Sequence, residues 1–207
     1  MFAAGECVGG ANGANRLSGN AIPEAFVFGN IAGRNAAECP AKLGYLTATD
    51  AESLLHKSCS ILEKNTDDRE NKRLSIKATL KELKNVMWSN VGVLRTEEKL
   101  LSAMKTIKDI RENVFPHLRP EIGTVFNTSL MDWSDLRNSL ICCEAICLAA
   151  LGRRESRGAH QREDIPNTSE EFIKNQVIAL NNNQLSVEWK NVKRKHFDLD
   201  RKRLAKI

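Results

Sequence analysis

The 207-residue chain has no C-x-x-C pair, few aromatic residues and no long apolar run, and each absence removes a class of protein. The six cysteines, Cys7, Cys39, Cys59, Cys142, Cys143 and Cys147, lack the paired spacing of a zinc or iron–sulfur site, so no metal is expected. Unpaired thiols fit a reducing, cytoplasmic setting. No stretch approaches the roughly 20 apolar residues of a membrane helix. The start, Met1-Phe2-Ala3-Ala4-Gly5, has neither the basic nor the apolar region of a secretory signal. Aromatic residues make up 5% of the chain. The net charge of +5 belongs to the C-terminal tail: Lys190 to Lys206 carries eight Lys or Arg and two Asp, net +6, leaving −1 for the rest. Beyond Trp189 the tail has only Phe197 for stacking, so it reads as a solvated terminus and no nucleic-acid partner is expected.

What is present is concentrated at the N-terminus. Gly5, Gly9, Gly10, Gly13 and Gly19, with Asn12, Asn15 and Asn20 among them, make residues 1–20 a loop. The loop holds one acid, Glu6, and one base, Arg16, and feeds an apolar helix whose first turn accepts Pro23. Glycines let backbone N–H groups approach a ligand, and a helix start offers free N–H groups and a positive dipole end, which suits a dinucleotide cofactor. Glu6 can accept hydrogen bonds from sugar or ribityl hydroxyls, and Arg16 can make a two-pronged contact with a carboxylate. On spacing alone the same run also fits a glycine-rich surface loop with a charged pair.

The rest of the chain is expected to be mainly α. Ala25 to Cys39 reads as a helix with small residues on one side, and Asp50 as the N-cap of a helix to about Lys64. Three further helices follow. The first carries Leu80, Leu83, Met87, Val91 and Leu94 at three- and four-residue steps, with Gly92 marking an end near Asn90. The second, Glu97 to Phe115, has a stripe of Leu100, Leu101, Met104, Ile107, Ile110 and Val114 and is stopped by Pro116 and Pro120. The third, Asp132 to Leu151, is apolar enough to be buried on most sides, with Cys142, Cys143 and Cys147 as core residues. Alternation in Leu185, Val187 and Trp189, with Asn181-Asn182-Asn183 before it, predicts a C-terminal β-hairpin. Lys193 to Ile207 is expected to be frayed or weakly helical.

Two separated motifs carry a resemblance. Ala3-Ala4-Gly5-Glu6-Cys7, then Gly13-Ala14-Asn15-Arg16-Leu17-Ser18-Gly19-Asn20-Ala21-Ile22, then Phe28-Gly29-Asn30-Ile31-Ala32-Gly33, form the first. Glu155-Ser156-Arg157-Gly158-Ala159-His160 with Arg162 and Asp164 forms the second, and Met87-Trp88, Val91-Gly92 and Arg95-Thr96-Glu97 agree with it. Over residues 1 to about 192 the chain resembles the C-terminal part of the succinate dehydrogenase / fumarate reductase flavoproteins, a family that includes L-aspartate oxidase and the thiol-dependent and soluble fumarate reductases.

The resemblance implies an FAD-dependent oxidoreductase that passes a hydride between flavin and a small dicarboxylate. It implies that Glu6, Asn15, Ala21 and Ile22 lie at the cofactor and that Arg16 binds the substrate, while no catalytic residue is assigned within the chain. Asn12 stands where many members have histidine, and Ala21 stands where respiratory members have serine, which brings the loop nearer the soluble and thiol-linked type. The identity of the dicarboxylate is left open. The family's Gly-x-Gly-x-x-Gly motif, capping domain and proton-transfer arginine lie upstream of this loop. The expectation is therefore a chain begun at an internal methionine, or one piece of a split enzyme, inactive alone and completed by an N-terminal FAD-binding and capping part. An iron–sulfur electron-transfer subunit is a further partner implied, with peripheral attachment to the cytoplasmic membrane face through it.

The expected division is residues 1–49 as the end of an α/β FAD-binding domain, 50–166 as a helical three-helix-bundle domain, and 167–207 as the hairpin and basic tail. The charged cluster Arg153, Arg154, Glu155, Arg157, His160, Arg162 and Asp164 reads as a salt-bridge network docking the helical domain on the flavin domain, with an anion-binding or catalytic cluster as the other reading. The rival for the whole chain is a non-catalytic helical interaction module that keeps a vestigial flavin loop.

Overall fold

A computed structural model describes residues 2–8, 19–39, 47–63, 75–121 and 125–192, with residues 57–63 described by their backbone alone. Arg16, Asn15 and the basic tail from Lys193 onward lie outside the described residues.

The architecture is mainly helical and ends in a two-stranded hairpin, as expected. Helix α1 (Ala21–Glu38) is preceded by a 3₁₀ turn at Gly5–Cys7. It begins four residues earlier than its apolar stretch implies, so Pro23 falls in the first turn, where a missing N–H costs nothing. Helix α2 (Ala48–Glu63) starts before Asp50 and corrects its expected role. Asp50 Oδ2 accepts from the Thr47 N–H at 3.1 Å while the Asp50 N–H donates to Thr47 Oγ1 at 3.2 Å. Thr47 is the N-cap and Asp50 the third-position partner of a reciprocal capping box.

The core lies between α3 (Ile76–Val91), α4 (Glu97–Asp109) and α5 (Thr128–Gly152), the expected three-helix bundle. Each start is fixed by a side-chain cap: Ser75 accepts from the Ala78 N–H, Thr96 from that of Lys99 and Asn127 from that of Leu130. Glu97 and Glu98 in the first turn of α4 suit its positive dipole end. Apolar residues at three- and four-residue steps point inward: Leu83 from α3, Leu100 and Ile107 from α4, and Leu136, Leu140 and Cys147 from α5; Leu101, expected on the α4 stripe, is exposed, because one residue beyond Leu100 the helix has turned by about 100°.

After Asp109 the chain keeps turning through a π turn (Ile110–Val114) and a 3₁₀ turn (Phe115–His117), so the α-helix ends six residues before Phe115. The wider turn still buries Ile110 and delivers Arg111 to Glu144 of α5, with which it pairs. Phe115 packs on Trp133 with ring centroids 4.9 Å apart, and Trp133 donates to the Leu118 carbonyl at 3.1 Å.

Two expectations for α5 are corrected. It starts at Thr128 rather than Asp132, because Asn127 caps the extra turn by accepting from the Leu130 N–H. It is buried along one stripe rather than on most sides: Met131 and Ile146 are exposed, and so is Cys142, while Cys143 is half-buried and only Cys147 of the three thiols is fully enclosed. A helix with partners on two flanks covers one arc, and the apolar residues outside that arc stay at the surface.

Strands β1 (Leu94–Arg95) and β2 (Gln161–Arg162) form a short parallel pair that ties the α3–α4 junction to the segment after α5. Strands β3 (Lys174–Asn181) and β4 (Gln184–Asn191) form the antiparallel hairpin, with Asn181 opposite Gln184. Its two-residue turn places Asn182 at φ 49° and Asn183 at φ 63°, a left-handed pair that asparagine tolerates and that matches the strand twist.

Candidate functional site

The N-terminal turn and the start of α1 are brought together. Gly5 is buried at φ +80°, a conformation that favours glycine, and sits over Ala25 of α1. This backbone carries Glu6, whose side chain is exposed in the 3₁₀ turn. Cys7 beside it donates its thiol hydrogen to the Ala4 carbonyl at 3.2 Å.

Ala21 and Ile22 open α1, Ala21 half-buried and Ile22 67% exposed. The first helical carbonyl, on Asn20, is used by the Glu24 N–H at 3.1 Å. The amides of Ala21 and Ile22 have no carbonyl ahead of them in the helix, Pro23 has no N–H, and the Asn20 side chain does not cap. Among the described residues nothing accepts from these two amides, so the helix presents two donors at its positive end. A largely apolar cleft of about 320 Å³ lies between the N-terminal turn and α1, lined by Phe2, Gly5, Val8, Glu24, Phe28 and Ile31.

Among the described residues no cluster of three or more His, Cys, Asp or Glu could hold a metal ion, and no helix is long and apolar enough to cross a membrane.

The second charged group is a buried strap within the helical unit, running from the end of α5 to the hairpin. Glu155 is fully buried and receives Arg153 Nη1 at 2.7 Å, Arg157 Nε at 2.9 Å and the Ser169 N–H at 2.9 Å. Burial pushes its carboxyl up, but the hydrogen bonds from Arg157, Ser169 and Arg153 outweigh that and hold it down at about 2. Arg153 continues to the carbonyls of Phe172 and Lys174 and lies over the Trp189 ring, 5.1 Å from its centroid. That contact clamps the hairpin to the end of α5. Gln176 adds a bond to the Ala149 carbonyl at 3.1 Å.

Arg162 is also fully buried, and its guanidinium is matched edge to edge with Asp164. His160 completes the strap. Its Nδ1 lies 3.0 Å from Arg95 Nη1 and its Nε2 lies 3.0 Å from the Arg153 carbonyl. Because the guanidinium only donates and the carbonyl only accepts, the ring is neutral with its proton on Nε2. Burial, with the nearby Arg95, Arg162 and Arg153, depresses its basicity against the Arg153 carbonyl, which raises it. A ring locked in one tautomer by two structural partners is a brace rather than a general base. The contacts of this cluster join α4, α5, the β1–β2 bridge and the hairpin. Arg95 and Glu97 are legible from sequence only as part of an accompanying motif and not as members of the charged cluster, because 57 to 67 residues separate them from their partners in the strap.

Residues 80–204 match the family model described as fumarate reductase flavoprotein C-term. The chain is 33% identical over 209 residues to the 8-methylmenaquinol:fumarate reductase flavoprotein subunit of Wolinella succinogenes, covering 98% of this chain and 33% of that one. It is 34% identical over 181 residues to the fumarate reductase flavoprotein subunit of Mycobacterium tuberculosis, covering 84% and 30%. Among solved structures, a mutant Escherichia coli quinol fumarate reductase superposes with a TM-score of 0.78 at 30% identity, covering 92% of this chain and 33% of that one. The chain spans about a third of the length of the relatives it matches.

Proposed function

The chain belongs to the fumarate reductase flavoprotein family, matching its C-terminal region, and from that premise we propose that it forms one wall of the active site of an FAD-dependent oxidoreductase that moves a hydride between flavin and a small dicarboxylate. The observation that carries this reading is the start of α1. Two amides with no acceptor among the described residues open the positive end of the helix on which Gly5, held at positive φ, packs at Ala25, within an alignment that runs through nearly the whole chain.

The residues at this end fit a flavin dinucleotide. FAD supplies a ring that accepts a hydride at one edge and gathers negative charge at another. The Ala21 and Ile22 amides are donors for such an electronegative edge. Glu6, exposed on its short turn, is an acceptor for ribityl or ribose hydroxyls, and Asn15 belongs to the same cofactor wall. Arg16, one residue further, is the substrate residue. Its planar fork grips a carboxylate at two points, holds the dicarboxylate in one orientation and offsets charge developing on the carbon beside that carboxylate.

On this reading residues 1–49 close the FAD-binding domain, 50–166 form the helical domain and 167–207 form the hairpin and tail. The remaining FAD-binding and capping elements come from outside the 207 residues, and an iron–sulfur subunit carries electrons to or from the flavin at the cytoplasmic membrane face. The test is to co-produce the chain with the FAD-binding and capping region of the Wolinella succinogenes flavoprotein and to record the visible spectrum. A bound flavin that is reoxidised by fumarate supports the enzyme, whereas a stable, colourless, inert pair supports the non-catalytic helical module.

A further inference from the structure

Alongside the core, α3 and α5 leave an open apolar groove of about 530 Å³, away from the N-terminal turn. Its floor is Leu83, Met87, Val91 and Cys143, and Ile146 of α5 stands on its wall with 45% exposure. The α3 rim is unusual. Lys77, Lys81, Lys84 and Trp88 follow at four- and three-residue steps, so they form a single stripe along the helix, and all four are exposed. Trp88 is 84% exposed, a large ring held in water at the groove's edge. None of the three lysines forms an ion pair among the described residues.

Arg95 adds a fourth cation at the groove lining. Its Nε is fixed by the Val91 and Gly92 carbonyls at 3.2 and 3.0 Å, and it meets no carboxylate among the described residues. Its Nη1 also meets His160 Nδ1 at 3.0 Å, so its three partners are all neutral acceptors that leave the charge without a counter-ion, and burial lowers its basicity.

We infer that this groove is a docking site for an acidic amphipathic helix. The occupant lays an apolar face on the floor, packs against Trp88, and places carboxylates against the Lys77–Lys81–Lys84 rim and Arg95. Three features select this occupant. The site is concave between two helices, a shape that takes a third helix rather than a flat bilayer. Its α3 edge carries one sign of charge, Lys84 at the groove with Lys77 and Lys81 continuing the stripe, which calls for the opposite sign. An exposed tryptophan over an apolar floor is the composition of an interface anchor.

The experiment uses the full chain and a fluorescein-labelled, hydrocarbon-stapled helical peptide with leucines on one face and glutamates flanking them. A twin peptide with lysine for each glutamate and vesicles containing phosphatidylserine serve as comparisons. Fluorescence anisotropy is expected to show saturable binding of the acidic peptide, weakened roughly tenfold or more by Trp88→Ala and by the double change Lys81→Glu, Lys84→Glu. The charge-reversed chain is expected to prefer the lysine twin. These side chains are exposed, and unchanged circular dichroism confirms that each variant is folded. Equal binding of both peptides, no effect of the variants, or binding to the vesicles in preference to the acidic peptide overturns the proposal.

Discussion

Arg162 donates twice to Asp164, from Nε to Oδ1 at 2.7 Å and from Nη2 to Oδ2 at 2.6 Å, while Asp164 Oδ2 also receives the Glu97 N–H at 2.8 Å. One carboxylate therefore neutralises a fully buried guanidinium and caps the first turn of α4. The Arg162 guanidinium holds Asp164 well below the usual carboxylate range. Asp164→Asn is expected to destabilise the folded chain by about 3 kcal/mol, since it strands a buried charge. Urea unfolding monitored by circular dichroism measures the loss, and a midpoint equal to that of the unchanged chain would contradict it.

Glu155 gives the pH dependence its sign. Its carboxyl is held at about 2, below an ordinary 4.5, so the folded state favours the ionised form. Its contribution is fully present above about pH 4.5 and is lost as the pH falls toward about 2. Glu155→Gln is expected to lower stability at neutral pH and to flatten the stability profile between those values. A variant that keeps the full acid-dependent loss would show that other carboxylates govern it.

His160 behaves in a related way. Its basicity lies below the ordinary value of 6.5, burial being the main cause, so the neutral ring is favoured in the fold. The brace between Arg95 and the Arg153 carbonyl holds above about pH 6.5 and weakens as the pH drops through the ring's lowered titration point. Nuclear magnetic resonance of the imidazole is expected to show titration below 6.5 and the Nε2–H tautomer above it. An Nδ1–H ring would contradict the arrangement.

Gly92 and the hairpin turn test the backbone. A Cβ at Gly92 would lie 2.7 Å from the Trp88 carbonyl oxygen, a contact that requires the end of α3 to shift. Gly92→Ala is expected to cost about 1–3 kcal/mol in chemical denaturation. Asn183→Gly, at φ 63°, is expected to raise stability by several tenths of a kcal/mol. Asn183→Val should lower it, and an order of stability with valine above glycine would contradict the left-handed turn.

The elements that could be read from sequence were those whose signal is local. The stripe from Leu100 to Ile110 has the helical period, Gly92 ends α3, and the asparagines before Gln184 mark the turn. The π turn at Ile110–Val114 keeps that same spacing of apolar residues, so periodicity alone extends the α-helix to Phe115. Asp50 and Thr47 are both good caps, and only the geometry shows that they act reciprocally. Cys142 looks apolar in the sequence, but its angular position on α5 leaves it exposed. The charged run from Arg153 to Asp164 reads as a salt-bridge network, but composition does not say which members are enclosed; pairing lets Glu155 and Arg162 lie fully inside. At the candidate site, Glu6 lies on the 3₁₀ turn whose Gly5 packs on Ala25, Ala21 and Ile22 open α1, and Asn15 and Arg16 fall outside the described residues.

The most direct measurement of the central claim compares the chain and its Arg16→Ala variant, each assembled with the Wolinella FAD-binding and capping region, in reoxidation of the reduced flavin by fumarate. The claim predicts that both assemblies hold flavin, that the unchanged chain reoxidises it on adding fumarate, and that the variant loses turnover by about 100-fold or more, the scale expected when a charge-stabilising donor is removed. Equal turnover by the two assemblies would contradict the role of Arg16. Absence of flavin from both would contradict the placement of the N-terminal turn and the start of α1 at the cofactor.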